Sequence, residues 1–453
     1  MTEQGSHVSE LGERLHRTDP RLLLPSAMLD EAAPPDRLEL VDLLPLPAGA
    51  PGRFVGLLID PDERLHVVPL VDEGRMVRRA RAGDGAALAV IDLLGAGALA
   101  TAGGRFGVRR GGRRHLVAQR AVNEDLQSTD GEREVYLVGG RVTVTWHLTP
   151  EALAGPRPDL VAHVRAVGYD ALLDDVGDLV WSGASWVGPL VSATAFPPEA
   201  ASATEAVVTA AFADLAEHDG AATTGDLALR VGVALAGLHK ALGTPGGYGD
   251  MPRGQVSAAD VARWRGDTAD DLTAATVLAG EALAVRLRDL RPHVRDALRP
   301  LEAAQGLATV PTGGVDLDAF VLLPGDHVRL APEVLAAGAT LEGSPPAFDL
   351  ARVLRAFDHA GRTAAQRLAP EGDAIPAAAL AAWREEVRAL TVDAYRAVLA
   401  ADDAVDRVDD DLLHAAEVVE ECRLLARAAR AHGVGARPEA PLADLLHVGD
   451  AVR

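Results

Sequence analysis

The amino-acid sequence predicts an α+β protein with a β-rich N-terminal part and a mainly helical C-terminal part. Before residue 200, several segments alternate apolar and polar residues with period two, as in 141–148 (RVTVTWHL), which is typical of strands. After residue 200 the chain is rich in alanine, and its apolar residues recur at helical spacing. A chain of 453 residues is long enough for two or three packed domains.

Strands dominate the predicted elements of the N-terminal part. The strands are predicted at 53–59, 65–71, 76–81, 113–121, 134–138 and 141–148, and a helix at 86–98. Gly139 and Gly140 are expected to join the last two strands in a tight hairpin. A helix follows at 159–168, where Gly168 can cap the C-terminus, and two further strands lie within 178–196.

The C-terminal part is predicted as a series of helices with one interruption. The helices are expected at 202–217, 226–242, 258–305, 348–366, 377–400 and 409–432, with an irregular stretch at 307–343. This succession divides the chain into a β-rich cap (1–118), a small β-rich lobe (119–200) and a helical lobe (201–453). A cleft between two lobes is the usual place for a ligand.

Charge and cysteine content exclude several classes of function. The net charge of −22 argues against binding to nucleic acid or to anionic membranes. The densest basic run, 109–114 (RRGGRR), is expected to be a solvated hairpin tip, with a phosphate or acidic-partner role as the alternative. A single cysteine, Cys422, excludes an internal disulfide and a cysteine zinc site. With no apolar leader segment at the N-terminus, we expect a cytoplasmic protein.

Lys240 is the one lysine among 44 basic residues. Lysine and arginine differ chemically, because lysine is a compact point charge and arginine is a planar fork. Any lysine-dependent chemistry must therefore use Lys240. Its segment, LHKAL, lies near the end of a predicted helix, where a solvated lysine is favoured by the helix dipole.

Seven segments carry a resemblance to a known family. They are 19–25 (DPRLLLP), 67–71 (VVPLV), 77–85 (VRRARAGDG), 134–146 (EVYLVGGRVTVTW), 156–169 (PRPDLVAHVRAVGY), 227–242 (LALRVGVALAGLHKAL) and 348–362 (FDLARVLRAFDHAGR). In this order and spacing the chain resembles the actinobacterial maltokinase and glucosamine kinase family over nearly its whole length. The resemblance implies an N-terminal cap domain ahead of a bilobal fold like that of aminoglycoside phosphotransferases and protein kinases. It also implies phosphorylation of a sugar by Mg-ATP.

The residues that would hold ATP in this family are largely replaced. The family's ATP lysine comes just before a tryptophan at the end of a strand, and that position is Thr145 here. A threonine cannot pair with phosphates as a cation. The family's phosphate loop falls on residues 130–135 (DGEREV), where Asp130 alone survives. Glutamates in this segment would repel a triphosphate.

The family's catalytic motif, His-Gly-Asp-x-His-x-x-Gln, should fall within residues 310–321 (VPTGGVDLDAFV). Its first triplet falls on 312–314 or on 313–315, and neither alignment supplies a histidine or an aspartate. A further shift would make Asp316 the catalytic base, but Val321 would then face the metal. The alternative for Asp316 is a turn carboxylate beside two glycines.

The family's metal ligands are missing as well. Its glutamine falls on Ala319 or Phe320, and its metal-binding aspartate on Ala331 or Pro332. Glu333 is a weak candidate, because one carboxylate without partners is a poor magnesium site.

Three hypotheses therefore remain open. The first is a catalytically impaired pseudokinase that binds a small sugar or a protein partner. The second is an active sugar kinase that uses Mg-ATP through rewired residues, with Asp316 as base. The third is a sugar-binding module that needs no nucleotide.

Overall fold

The computed structural model describes most of the chain. The described residues are 3–24, 37–47, 52–96, 105–110, 123–129, 133–149, 158–183, 187–197, 199–217, 220–245, 254–279, 281–310, 312, 314–325, 327–335, 344–368, 377–400 and 408–432. The chain divides into two compact units, Met1–Gly155 with Leu173–Pro198 and Pro156–Leu172 with Glu199–Arg453. Among the described helices, none is long and apolar enough to cross a membrane.

A four-stranded antiparallel sheet opens the first unit. Helix α1 (Glu3–His16) precedes this sheet. Its strands, in spatial order, are β1 (Glu39–Pro45), β2 (Arg53–Ile59), β3 (Leu65–Asp72) and β4 (Val77–Arg79). The apolar run of β2 is buried on both faces. Phe54 and Leu58 pack with Leu11 of α1, whereas Val55 and Leu57 join the core around the next helix, α2 (Ala86–Ala96).

A six-stranded antiparallel sheet completes this unit, in the order β5-β9-β10-β8-β7-β6. The strands are β5 (Phe106–Arg110), β6 (Glu124–Thr129), β7 (Arg133–Val138), β8 (Val142–His147), β9 (Asp175–Ser182) and β10 (Val187–Ala195). The hairpin of β7 and β8 turns at Gly139 and Gly140, both at positive φ, as the sequence predicts. The sequence pattern does not predict β5 or β6, and the strand predicted at 113–121 lies outside the described residues. Because β5 pairs with β9, the predicted boundary at residue 118 would cut this sheet, and the three-part division stays a prediction.

Glu124 of β6 caps α2. Its two carboxylate oxygens accept hydrogen bonds of 2.8 Å from the backbone N–H groups of Gly85 and Leu88. A carboxylate satisfies free N–H groups at a helix N-terminus and faces the positive end of the helix dipole.

We expect Glu124→Ala to lower the free energy of unfolding by about 1–2 kcal/mol, because a lost helix cap costs this much. Chemical denaturation measures the change. Glu124→Gln should fall between wild type and alanine, and Asp125→Asn on the neighbouring exposed position is the control. Equal stability of Glu124→Ala and wild type would contradict the capping role.

The second unit is mainly helical. Its elements are α3 (Pro158–Ala166), β11 (Ala201–Ser202), α4 (Ala203–Glu217), α5 (Thr224–Gly243), α6 (Ala258–Leu278), α7 (Glu281–Ala297), β12 (Phe320–Leu323), β13 (His327–Leu330), α8 (Pro346–Leu368), α9 (Ala377–Leu399) and α10 (Asp410–His432). Two predictions were wrong in detail. The single helix predicted at 258–305 is broken after α6, because Ala279 adopts extended backbone angles. The stretch predicted to be irregular contains the hairpin of β12 and β13.

Candidate functional site

The loop that aligns with the family's catalytic motif is held by a buried aspartate. Asp349, in the first turn of α8, is fully buried. One of its carboxylate oxygens accepts a 2.6 Å hydrogen bond from the Thr312 hydroxyl, and the other accepts one of 3.0 Å from the Val315 backbone N–H. Residues at both ends of this turn are therefore fixed to one carboxylate.

His239 and Tyr395 form a hydrogen-bonded chain that ends at this carboxylate. His239 Nε2 lies 3.1 Å from Asp349 Oδ2, and its Nδ1 lies 2.7 Å from the Tyr395 hydroxyl. An ionised carboxylate only accepts hydrogen bonds, so Nε2 carries the proton and, in a neutral ring, the tyrosine donates to Nδ1. Burial would raise the pKa of Asp349, but the hydrogen bond from His239 and the charge of Arg352 lower it below its usual value.

His239 is fully buried in the core. The role of Asp349 is not predicted. A charged residue inside the apolar pattern FDLARVL was the available signal, because a buried charge needs a partner.

Gly314 lies where one alignment places the catalytic aspartate. It has φ of +91°, in the region that favours glycine. The guanidinium of Arg352 stands where a Cβ on residue 314 would be. Arg352 lies on α8, and its Nε donates a 2.7 Å hydrogen bond to Glu420 of α10. In that alignment a guanidinium occupies the space of the side chain that the resemblance predicts to be a carboxylate.

Asp316 is half-buried and precedes a short 3₁₀ turn, Leu317–Ala319. Burial would lower the pKa of Arg352, but the charges of Glu420, Asp349 and Asp316 raise it. Asp316 therefore lies within electrostatic reach of a cation, as expected of a carboxylate in a charge-balanced loop.

The two predicted metal-ligand positions face each other across a hairpin. The backbone N–H of Ala331 donates a 2.8 Å hydrogen bond to the carbonyl of Ala319, next to the pair formed by Phe320 and Leu330. Opposite positions are what two ligands of one ion require, but both side chains are methyl groups. In the alternative alignment the positions are Phe320 and Pro332, which are buried and apolar.

Glu333 lies in the short 3₁₀ turn Pro332–Leu335 and is half-buried. Over the described part of the chain, no three His, Cys, Asp or Glu side chains are placed to hold a metal ion. Magnesium prefers near-octahedral oxygen ligands, which alanine, phenylalanine and proline side chains cannot supply. These residues do not fit the Mg-ATP complex that the resemblance implies.

Thr145, at the position of the ATP lysine, is buried in the middle of the six-stranded sheet in the first unit. Its register partner is Ser192, whose hydroxyl lies 2.9 Å from His147 Nε2. On the far side of Ser192 stands the fully buried Asp178, which pairs with Arg109. This polar row across the sheet supplies no cation at position 145.

The pKa of Asp178 is raised above its ordinary value, because the effect of burial is larger than the opposing effect of the Arg109 charge. Arg109, from the run predicted as a solvated hairpin tip, is half-buried and belongs to this ion pair, so for this residue the prediction was wrong. Arg110 ends β5, and residues 111–114 lie outside the described residues.

Asp130 lies outside the described residues. Glu134, which we expected to repel phosphate, forms a buried ion pair with Arg79 and accepts a 3.2 Å hydrogen bond from Tyr136. Lys240 lies in the last turn of α5, near the helix end where the sequence predicts it, and is half-buried.

The fold and the aligned segments resemble those of sugar kinases. No family model matches the chain. A curated glucosamine kinase from Streptacidiphilus jiangxiensis is 29% identical over 451 residues, covering 96% of this chain and 97% of the relative. The resemblance predicted from the sequence is confirmed: the chain is glucosamine kinase- and maltokinase-like over nearly its whole length.

Solved structures agree on the fold. Crystal form A of a glucosamine kinase superposes with a TM-score of 0.61 at 25% identity, covering 98% of both chains. A glucosamine kinase in complex with glucosamine, ADP and inorganic phosphate gives a TM-score of 0.61 at 25% identity, covering 98% of this chain and 99% of that one. The predicted kinase-like α+β fold is thereby confirmed.

Proposed function

We propose that this chain is a divergent glucosamine kinase-like protein that has lost phosphoryl transfer and acts by binding a small sugar or a protein partner. The observation that carries the proposal is the set of residues at the aligned site. In one of the two alignments, Gly314, Ala319 and Ala331 stand where a base and two metal ligands are expected, and Asp349 holds the turn at Gly314 through Thr312 and Val315. Phosphoryl transfer depends on positioning and on neutralising charge, so losing these groups removes its main contributions.

A ligand-induced change in unfolding temperature tests the proposal. A ligand at 100 times its Kd adds about 2.7 kcal/mol to stability. We expect no shift with Mg-ATP at concentrations that shift an active glucosamine kinase, and no Mg-ATP-dependent phosphorylation of glucosamine, glucose or maltose. Phosphorylation of any of these sugars by the purified protein would overturn the proposal.

An active kinase with Asp316 as base is the second candidate. It is favoured by the hydrogen bonds that hold this loop at Thr312 and Val315, because they keep Asp316 in a defined place. On this reading a wild-type activity exists and Asp316→Asn abolishes it. A sugar-binding module is the third candidate, and it requires a shift with glucosamine that neither ATP nor magnesium changes.

A further inference from the structure

In one of the two alignments the catalytic aspartate falls on Gly314, where the space for a side chain is filled by a residue of α8. A Cβ added to Gly314 would overlap the guanidinium of Arg352. Glycine at positive φ is common in loops, and several such glycines of this chain have open space where a side chain would go. Gly306 is a matched example in the same unit, with φ of +86° and no atom within 4 Å of an added Cβ.

Arg352 is held in this place by its own ion pair. Glu420 is buried, and its carboxylate accepts the 2.7 Å hydrogen bond from Arg352 Nε. Burial would raise the pKa of Glu420, but the charges of Arg352, Arg423 and Arg427 lower it. Since both partners are ionised and the acid is buried, moving the arginine away would leave a charge without its partner.

We infer that the Arg352 side chain has taken the place that a side chain at position 314 would occupy, so that a carboxylate is excluded there while the Arg352–Glu420 ion pair stays in place. The Arg352 guanidinium pairs with Glu420 and also interacts electrostatically with Asp349 and Asp316. A carboxylate cannot return to position 314 unless the arginine leaves. That the missing carboxylate prevents catalysis rests on the proposed function. The overlap between Arg352 and a side chain at position 314 does not depend on it.

A double-mutant cycle tests the inference. The variants are Gly314→Ala and the control Gly306→Ala, each in the wild-type chain and in an Arg352→Ala/Glu420→Ala background. The background removes both members of the Arg352–Glu420 ion pair, so that neither is left buried without the other. Thermal unfolding of the full chain is the measurement, because it needs neither ligand nor activity.

In the wild-type chain, we expect Gly314→Ala to lower the unfolding temperature more than Gly306→Ala, which reports the strain of positive φ alone. In the background, the two alanine substitutions should lower it equally. A Gly314→Ala chain that folds only in the background would also support the inference. Equal losses in the wild-type chain, or an excess loss at 314 that persists in the background, would overturn it.

The cycle and the kinase assay can fail separately. A phosphorylation activity in the wild-type protein would contradict the proposed function and leave the outcome of the cycle unchanged. Conversely, equal effects at 314 and 306 would remove Arg352 from this role even if the protein is inactive.

Discussion

Asp349→Ala is expected to lower the free energy of unfolding by about 3–5 kcal/mol, which is the range for removing one partner of a buried charged network. The substitution leaves the Thr312 hydroxyl, the Val315 N–H and His239 Nε2 without their acceptor. Each buried group left unsatisfied costs about 1–3 kcal/mol, and relaxation of the loop toward solvent recovers part of the sum.

Chemical denaturation of two further variants makes this prediction specific. Asp349→Asn keeps one acceptor oxygen and should lose less stability than alanine. Asp226→Ala on α5 is the control, since its carboxylate is exposed and pairs with Arg230 one helical turn away. An exposed pair of this kind contributes up to about 1 kcal/mol. If Asp349→Ala costs no more than Asp226→Ala, the anchoring role is wrong.

The same aspartate gives stability a defined dependence on pH. A carboxyl group with a lowered pKa in the folded state stabilises the fold above its unfolded pKa, and this contribution is lost as pH falls through the folded pKa. The unfolded value is about 4. The stability difference between wild type and Asp349→Asn should therefore be constant above about pH 5 and shrink below about pH 4. A difference that grows on acidification would contradict the lowered pKa.

Local patterns predicted the elements of this fold far better than its buried polar contacts. The alternation in β8, the two glycines of its hairpin and the alanine-rich helices each depend on neighbouring residues, so period and turn chemistry were sufficient. His239, Asp349 and Tyr395 meet across sequence separations of 110 and 156 residues, which no local pattern encodes. For the same reason one alignment of the sequence predicted a missing carboxylate at Gly314 but not the arginine that fills this space.

Gly232→Ala should also have a large effect, through the contact between α5 and α9. A methyl carbon added at residue 232 would lie 2.5 Å from the carbonyl oxygen of Thr391 and 3.2 Å from the Cβ of Ala394. A backbone oxygen cannot rotate away, so the two helices must separate. Overpacking of this kind costs about 1–3 kcal/mol, whereas replacing glycine by alanine within a helix gains about 0.5–1 kcal/mol.

A net loss at 232 is therefore expected, and Gly266→Ala is the matched control. Gly266 lies inside α6 with no atom within 4 Å of an added Cβ, so alanine there should stabilise the chain. Opposite signs of the two effects on the unfolding midpoint would show that close helix packing, rather than helix propensity, decides residue 232. Because His239 lies two turns further along α5 and contacts Tyr395 of α9, separating these helices should also weaken the support of Asp349. Gly232→Ala and Tyr395→Phe should then be less than additive, since either one already disturbs the same contact.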